Sequence, residues 1–443
     1  MSFMFDKKIL YLSCVFDKIK LYYVMEKDTI KLLIAEYQQM AVGVTFQKRL
    51  YTFEDSLNYA FTGLRRAGKS YMMYQRIRQL LNAGHAKDEI LYFNFEDDRI
   101  SGLTASDLDL IKICYEEMFD SKPIFFLDEI QVVDHWEKFA RRLADQGYRV
   151  YVTGSNARML SSEIATILGG RYVVQNIYPY AFFEFLVSMG VDVHDKNFLF
   201  RYHTDITKAY EVYFRYGGLP ELMTVSDKRS WLSNLYQKIW LGDLITRYQI
   251  RNKFALLVLI RKLAGSLRQP TSFNRLANVV SSTGKKISTD TVIDYLEYLE
   301  ESWLIFSLEN MAAKLADKVS NKKYYFTDNG ILNLFLIDPV TSLLENQVAI
   351  QLRRLYGEEV YFYHRGIEVD FYVPEIQLAV QVCYNLQDPE TRQREIVALL
   401  KMAKQIDINR MIIITKDDDE TISEQGNKIE VIPVYKWLLQ EIF

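Results

Sequence analysis

Gly63-Leu64-Arg65-Arg66-Ala67-Gly68-Lys69-Ser70 follows the apolar run Asn58–Thr62 and opens a helical pattern over Lys69–Asn82. Every fixed position of G-x-x-x-x-G-K-[ST] is met, in the strand–loop–helix setting that a phosphate loop requires. Glycines allow the tight turn that aims successive N–H groups and a helix N-terminus at a phosphate. The expected cradle is Gly63, Leu64, Arg65, Arg66, Ala67, Gly68, Lys69, Ser70 and Tyr71. Within it Lys69 neutralises the β- and γ-oxygens of a nucleoside triphosphate and Ser70 ligates Mg²⁺.

Working outward, short apolar runs alternate with helical stretches between residues 57 and 180. Strands are expected at Asn58–Thr62, Glu89–Phe95, Pro123–Leu127, Arg149–Thr153 and Arg171–Ile177. Helices are expected at Lys69–Asn82, Ala105–Phe119, Asp134–Asp145 and Arg158–Leu168. Runs such as Ile124-Phe125-Phe126-Leu127 lack polar alternation and suit strands of a parallel sheet buried on both faces. The fold class expected is α/β with right-handed crossovers.

Ile124–Leu127 ends in Asp128-Glu129, two acids at a strand tip. Behind a phosphate loop, Asp128 holds Mg²⁺ and Glu129 orients and deprotonates the attacking water. After the next strand comes Thr153-Gly154-Ser155-Asn156-Ala157. Here Asn156 or Ser155 either senses the γ-phosphate or caps the following helix. Asn94 either hydrogen-bonds Glu129 or is a plain edge residue.

The rest of the 443 residues sets limits. Net charge is −3, from 54 Lys+Arg against 57 Asp+Glu, which excludes a globally basic nucleic-acid coat. Three distant cysteines, Cys14, Cys114 and Cys383, exclude a disulfide framework and a CxxC metal knuckle, so a cytoplasmic location is the default. The apolar run from Ile9 to Val24 is broken by Asp17, Lys18 and Lys20 and neither spans a membrane nor forms a signal segment. With Met25 following it, residues 1–24 read either as an upstream start or as part of the fold. A core over 25–180 is then followed by a helical lid over 181–248, broken by Gly217-Gly218-Leu219-Pro220. A winged helix-turn-helix is expected over 249–340, its third helix presenting Val292, Tyr295, Leu296 and Leu299 on one face. A smaller α/β domain closes the chain over 341–443.

The motifs Gly63-Leu64-Arg65-Arg66-Ala67-Gly68-Lys69-Ser70 and Leu127-Asp128-Glu129-Ile130-Gln131 resemble those of the AAA-type bacterial and archaeal ATPases that carry GxRRxGK[ST] and LDEIQ. Trp136, Gly170-Arg171, Pro179 and Gly217-Gly218-Leu219-Pro220-Glu221 extend the resemblance over residues 25–443. It implies a P-loop ATPase core, helical lid, winged helix and a C-terminal domain similar to PD-(D/E)XK nucleases. It also implies ATP with Mg²⁺ as the cofactor and favours Arg171 as the arginine that stabilises γ-phosphate charge, with Arg158 and Arg66 as rivals.

Two of the implied domains carry residues that argue against their obvious roles. Residues 250–325 hold 12 basic and 7 acidic side chains, but Ser288–Trp303, the groove-entering helix, has five acids and no Lys or Arg. DNA binding is therefore not favoured, and a protein partner through this domain or the C-terminal one is preferred. In the last domain Glu345 and Asp370 fit nuclease positions. Gln381 stands where a second carboxylate belongs and Cys383 where the lysine belongs, so the domain is expected to be catalytically silent. The function expected is slow ATP hydrolysis acting as a switch on the C-terminal domains. The alternatives are ATP-regulated DNA binding with residual nuclease action, and an ATP-binding scaffold with little turnover.

Overall fold

A computed structural model describes residues 27–155, 166–195, 197–284 and 286–440. The chain packs as two units, one running to Gly63 and from Gly68 to Ile177, the other comprising Leu64–Ala67 and Tyr178 onward.

In the first unit a helix over residues 27–43 (α1) precedes five strands: β1 (Asn58–Thr62), β2 (Ile90–Asn94), β3 (Ile124–Asp128), β4 (Val150–Gly154) and β5 (Tyr172–Asn176). Between them lie α2 (Lys69–Asn82), α3 (Leu108–Met118) and α4 (Trp136–Asp145). The sheet is parallel throughout, in the order β2-β3-β4-β1-β5. Ile124, Phe125, Phe126 and Leu127 are all buried, as a central strand covered by helices on both faces requires. α4 shows why its residues form a helix: Trp136, Phe139, Ala140 and Leu143 repeat at i, i+3, i+4 and i+7 and are its buried face. A few aromatic rings stack across the sheet, Phe126 on Tyr151 at 4.6 Å between centroids and Tyr59 on Tyr151 at 6.0 Å.

The five expected strands are found with ends moved by no more than a residue or so, a common disagreement at element boundaries. The expected helix Arg158–Leu168 falls mostly outside the described residues.

The second unit begins with helices α5 (Phe182–Ser188), α6 (His203–Tyr216) and α7 (Lys228–Lys238), the last running on into a π-helical segment, Ile239–Thr246. Gly217 and Gly218 end α6 for a steric reason. A Cβ on Gly217 would enter the Asp328 carboxylate, and one on Gly218 would meet the Tyr180 carbonyl oxygen. Then come α8 (Lys253–Gly265), β6 (Thr271–Ser272), α9 (Phe273–Ser282), α10 (Thr289–Glu301), β7 (Ile305–Leu308) and β8 (Asn321–Phe326). Their sheet is antiparallel, in the order β6-β8-β7. Ser272 and Ser288 cap α9 and α10 by accepting the N–H groups of Arg275 and Thr291. Val292, Tyr295, Leu296 and Leu299 are the buried face of α10.

A six-stranded mixed sheet follows: β9 (Tyr361–His364), β10 (Glu368–Val373), β11 (Leu378–Val382), β12 (Arg410–Thr415), β13 (Glu420–Glu424) and β14 (Asn427–Pro433). Its order is β13-β14-β12-β11-β10-β9. α11 (Val340–Tyr356) and α13 (Val434–Gln440) cover one part of the sheet, and α12 (Pro389–Ala403) packs on β10 and β11. Among the described residues no helix is long and apolar enough to cross a membrane.

Candidate functional site

The loop between β1 and α2 adopts backbone that its glycines dictate. Gly63 has φ +150°, and a Cβ there would drive into the carbonyl oxygen of Ile177. Gly68, at φ +102°, precedes α2, whose first turn has no side-chain cap. A helix start of this kind presents its N–H groups and the positive end of its dipole to an anion.

Four residues expected to act together converge. Lys69, almost wholly buried, donates to the Gly63 carbonyl at 3.3 Å and lies 3.6 Å from Glu129 Oε1. The hydroxyl of Ser70 donates to the Asp128 carboxylate. Asp128 is buried at the tip of β3, and burial together with the charge of Glu129 pushes its carboxyl up. Hydroxyls of Thr153, Tyr92 and Ser70 pull it back by donating to the charged form. Glu129 is itself at φ +52° and accepts from the Gln131 side-chain amide. Oxygen donors at Ser70 and Asp128 are of the kind Mg²⁺ takes, and Lys69 beside an uncapped helix start suits a phosphate.

Two of the convergent residues had no role assigned from sequence. Thr153 donates to Asp128 and accepts the Glu129 N–H at 2.8 Å, so one hydroxyl ties both acids to β4. Tyr92, on β2, donates to Asp128 and also shares a hydrogen bond with Tyr74. The available signal for Thr153 was a polar residue at the end of a strand inserted between the two motif strands.

Other expected residues stand elsewhere. Asn156, like Arg158, lies outside the described residues. Ser155 is buried, and its hydroxyl has no hydrogen-bond partner among the described residues. Asn94 turns its side-chain carbonyl to the N–H of Glu96, closing a local turn. Tyr71 is half exposed, with its ring edge-on to Tyr74.

Arg171, whose action on its own site or on that of a second copy the sequence leaves open, stands away from the phosphate loop of its own chain. It precedes β5, whose Tyr172 is in register with Asn58, at the start of β1, whereas the phosphate loop follows Thr62 at the other end. Four residue steps separate the two ends of β1, about 13 Å. Its guanidinium is ion-paired to Asp145 of α4 instead.

Leu64–Ala67, the outer part of the loop, packs in the second unit. There Arg65 makes a two-pronged contact with Asp243 of the π-helical segment, at 2.9 and 3.1 Å, and Arg66 is paired with Glu221. Elsewhere in this unit Glu345, Glu368 and Asp370 come together, while Gln381 accepts the Asp370 N–H at 2.8 Å. Cys383 is half-buried, with its thiol on the Asn385 carbonyl and burial holding it above the usual thiol range.

Residues 56–186 match the family model of an AAA domain, and residues 207–340 match a domain of unknown function, DUF8612. An uncharacterised protein of Methanocaldococcus jannaschii is 32% identical over 460 aligned positions, covering 99% of this chain and 100% of that one. An uncharacterised protein of Haemophilus influenzae is 31% identical over 408, covering 89% and 98%. Among solved structures, the Walker-type ATPase of Pyrococcus abyssi has a TM-score of 0.40 at 14% identity, covering 62% of this chain and 90% of that one.

Proposed function

The chain belongs to the AAA-type P-loop ATPases, and from that premise we propose that it binds ATP–Mg²⁺ and hydrolyses it slowly, as a switch on its C-terminal elements. One observation carries the reading. Lys69, Ser70, Asp128 and Glu129 meet at the C-terminal edge of β1 and β3, beside a helix start without a side-chain cap.

The roles follow from chemistry. Gly63–Tyr71 cradle the phosphates, Lys69 neutralises them, and Ser70 and Asp128 hold Mg²⁺, which supplies charge for the transferred phosphoryl group. Glu129 takes the proton of the attacking water. Its carboxylate is shared between Lys69 and Gln131, so it becomes available as Lys69 turns to phosphate. Thr153 holds Glu129 in place, and a residue of the 155–156 pair senses the γ-phosphate. Arg171, at the end of the sheet opposite its own loop, acts on the site of a second copy.

For the remainder we propose a helical lid over 181–248, a winged helix over 249–340 and a silent nuclease-like domain over 341–443, in a cytoplasmic protein. Three helices with an antiparallel sheet ordered β6-β8-β7 support the winged helix. The acids of α10 favour a protein partner over a DNA groove, and Lys322 is already paired with Glu309 at 3.3 Å.

Steady-state phosphate release from ATP–Mg²⁺ tests the central claim, with Glu129→Gln and Lys69→Ala alongside. Wild-type turnover that falls by about 10²-fold or more in Glu129→Gln is expected. Wild-type protein that neither binds nor hydrolyses ATP defeats the reading.

A further inference from the structure

Lys323 lies on β8, in the three-stranded sheet, yet its partners come from the six-stranded sheet and α11. Its side chain is fully buried. The ammonium stands 2.9 Å from Glu368 Oε1, 3.3 Å from Asp370 Oδ1 and 3.7 Å from Glu345 Oε1. Protein donors also hold Glu345 and Asp370. Tyr325 and Arg268 take the two oxygens of Glu345, at 2.9 and 3.1 Å, and the Val382 N–H takes Asp370 Oδ2 at 3.0 Å. Beside the cluster opens a cavity of about 730 Å³, lined in part by Arg268, Glu368, Asp370, Gln381, Arg394 and Glu395.

Carboxylate oxygens converging from separate backbone positions are how proteins hold hard divalent cations. Here a cation already stands at the focus, tethered to β8. Burial alone would drive Lys323 toward the neutral amine, but the charges of Asp370, Glu345 and Glu368 outweigh it and hold the ammonium above the usual lysine range. Glu345 is buried while Asp370 is partly and Glu368 largely open to solvent, so it is the ammonium and Glu345 that would be costly to leave without a counter-charge.

We propose that Lys323 is the built-in cation of this cluster. It occupies the place a divalent ion would take, so the native cavity accepts no catalytic metal, and removing the ammonium turns Glu345, Glu368 and Asp370 into a Mn²⁺ site. The absence of a carboxylate at 381 and of a lysine at 383 weakens metal chemistry; Lys323 excludes the ion outright. The inference is independent of nucleotide binding, because it involves no residue of the phosphate loop.

The test is Mn²⁺ titration of the full chain by calorimetry, with thermal unfolding in parallel. Four proteins are compared: wild type, Asp370→Asn, Lys323→Met and Lys323→Met/Asp370→Asn. Wild type and Asp370→Asn should have the same Mn²⁺ isotherm, any binding at Asp128 being common to both. Lys323→Met should melt lower in metal-free buffer, gain one Mn²⁺ site at least ten-fold tighter than any in wild type, and recover much of its Tm on binding. Asp370→Asn added to it should abolish that gain. A wild-type Mn²⁺ site lost in Asp370→Asn overturns the proposal, as does a folded Lys323→Met protein indifferent to Mn²⁺. The wild-type comparison decides the matter even where Lys323→Met fails to fold.

Discussion

The hydroxyl of Thr153 accepts the backbone N–H of Glu129 at 2.8 Å while donating to the carboxylate of Asp128. Glu129 sits in the left-handed region at φ +52°, which a residue with a side chain adopts only when its surroundings impose it. The hydroxyl therefore sets the direction of the expected catalytic base without touching a substrate.

Thr153→Val keeps the shape and removes both hydrogen bonds. ATP turnover should fall by about 10-fold or more, with KM for ATP changed much less, since positioning of the base matters mainly in the transition state. Thr153→Ser should restore most of the rate. Full turnover in Thr153→Val, with the loss confined to Thr153→Ser, would show that the methyl group matters through packing and the hydroxyl does not.

Gly63→Ala is expected to abolish nucleotide binding. The added Cβ meets the Ile177 carbonyl, a backbone atom that cannot swing aside, at a φ of +150° that alanine avoids. Equilibrium binding of a fluorescent ATP analogue reads the effect, and binding within a few-fold of wild type would contradict this account of the loop.

Asp243 is nearly fully buried, and it serves Arg65 through both oxygens and Arg247 at 3.2 Å. Asp243→Ala strands the Arg65 guanidinium, and removing one partner of a buried pair costs about 3–5 kcal/mol. Urea unfolding should show that loss, and ATP affinity should fall because Arg65 belongs to the phosphate loop. The double variant Arg65→Met/Asp243→Leu should recover part of that stability, Arg247 still losing its acceptor. A single variant as stable as wild type would show that the pair contributes nothing net.

How much of this was legible in sequence follows from what each feature depends on. The phosphate loop and β3 declare themselves locally, through glycine spacing and a run with no polar alternation. The convergence of Thr153 and Tyr92 on Asp128 depends on strand order, which brings β2 and β4 to either side of β3. Arg171 was legible as the entry to the last strand, but that this strand pairs in parallel with β1, which puts the entry at the end opposite the phosphate loop, depends on the folded sheet. Lys323 pairs with a carboxylate 47 positions away in a different sheet, and no spacing rule links the two. The glycine pair at 217–218 is visible as a motif, but its reason, the closeness of Asp328, exists only in the folded chain.

Asp328 also makes stability depend on pH. It is fully buried, and burial pushes its carboxyl up to about 6, although the N–H groups of Gly218, Ile331 and Gly330 pull the other way by stabilising the charged form. Between the ordinary Asp value near 3.8 and about 6, the folded protein holds a proton that the unfolded chain has released. Stability from this group is therefore greatest below about pH 4 and declines as pH rises through 6. A carboxyl titrating near 6 rather than near 3.8 costs the folded state about 3 kcal/mol once ionised. Asp328→Asn is neutral at every pH and lacks this slope, though its amide replaces an acceptor facing Gly218 with a donor. The stability gap between wild type and the variant should be widest near pH 4 and narrow by up to about 3 kcal/mol by pH 7. Urea titrations of both proteins across that range measure it. Parallel profiles would mean that the three backbone donors fully offset the cost of burial and that Asp328 is ionised throughout.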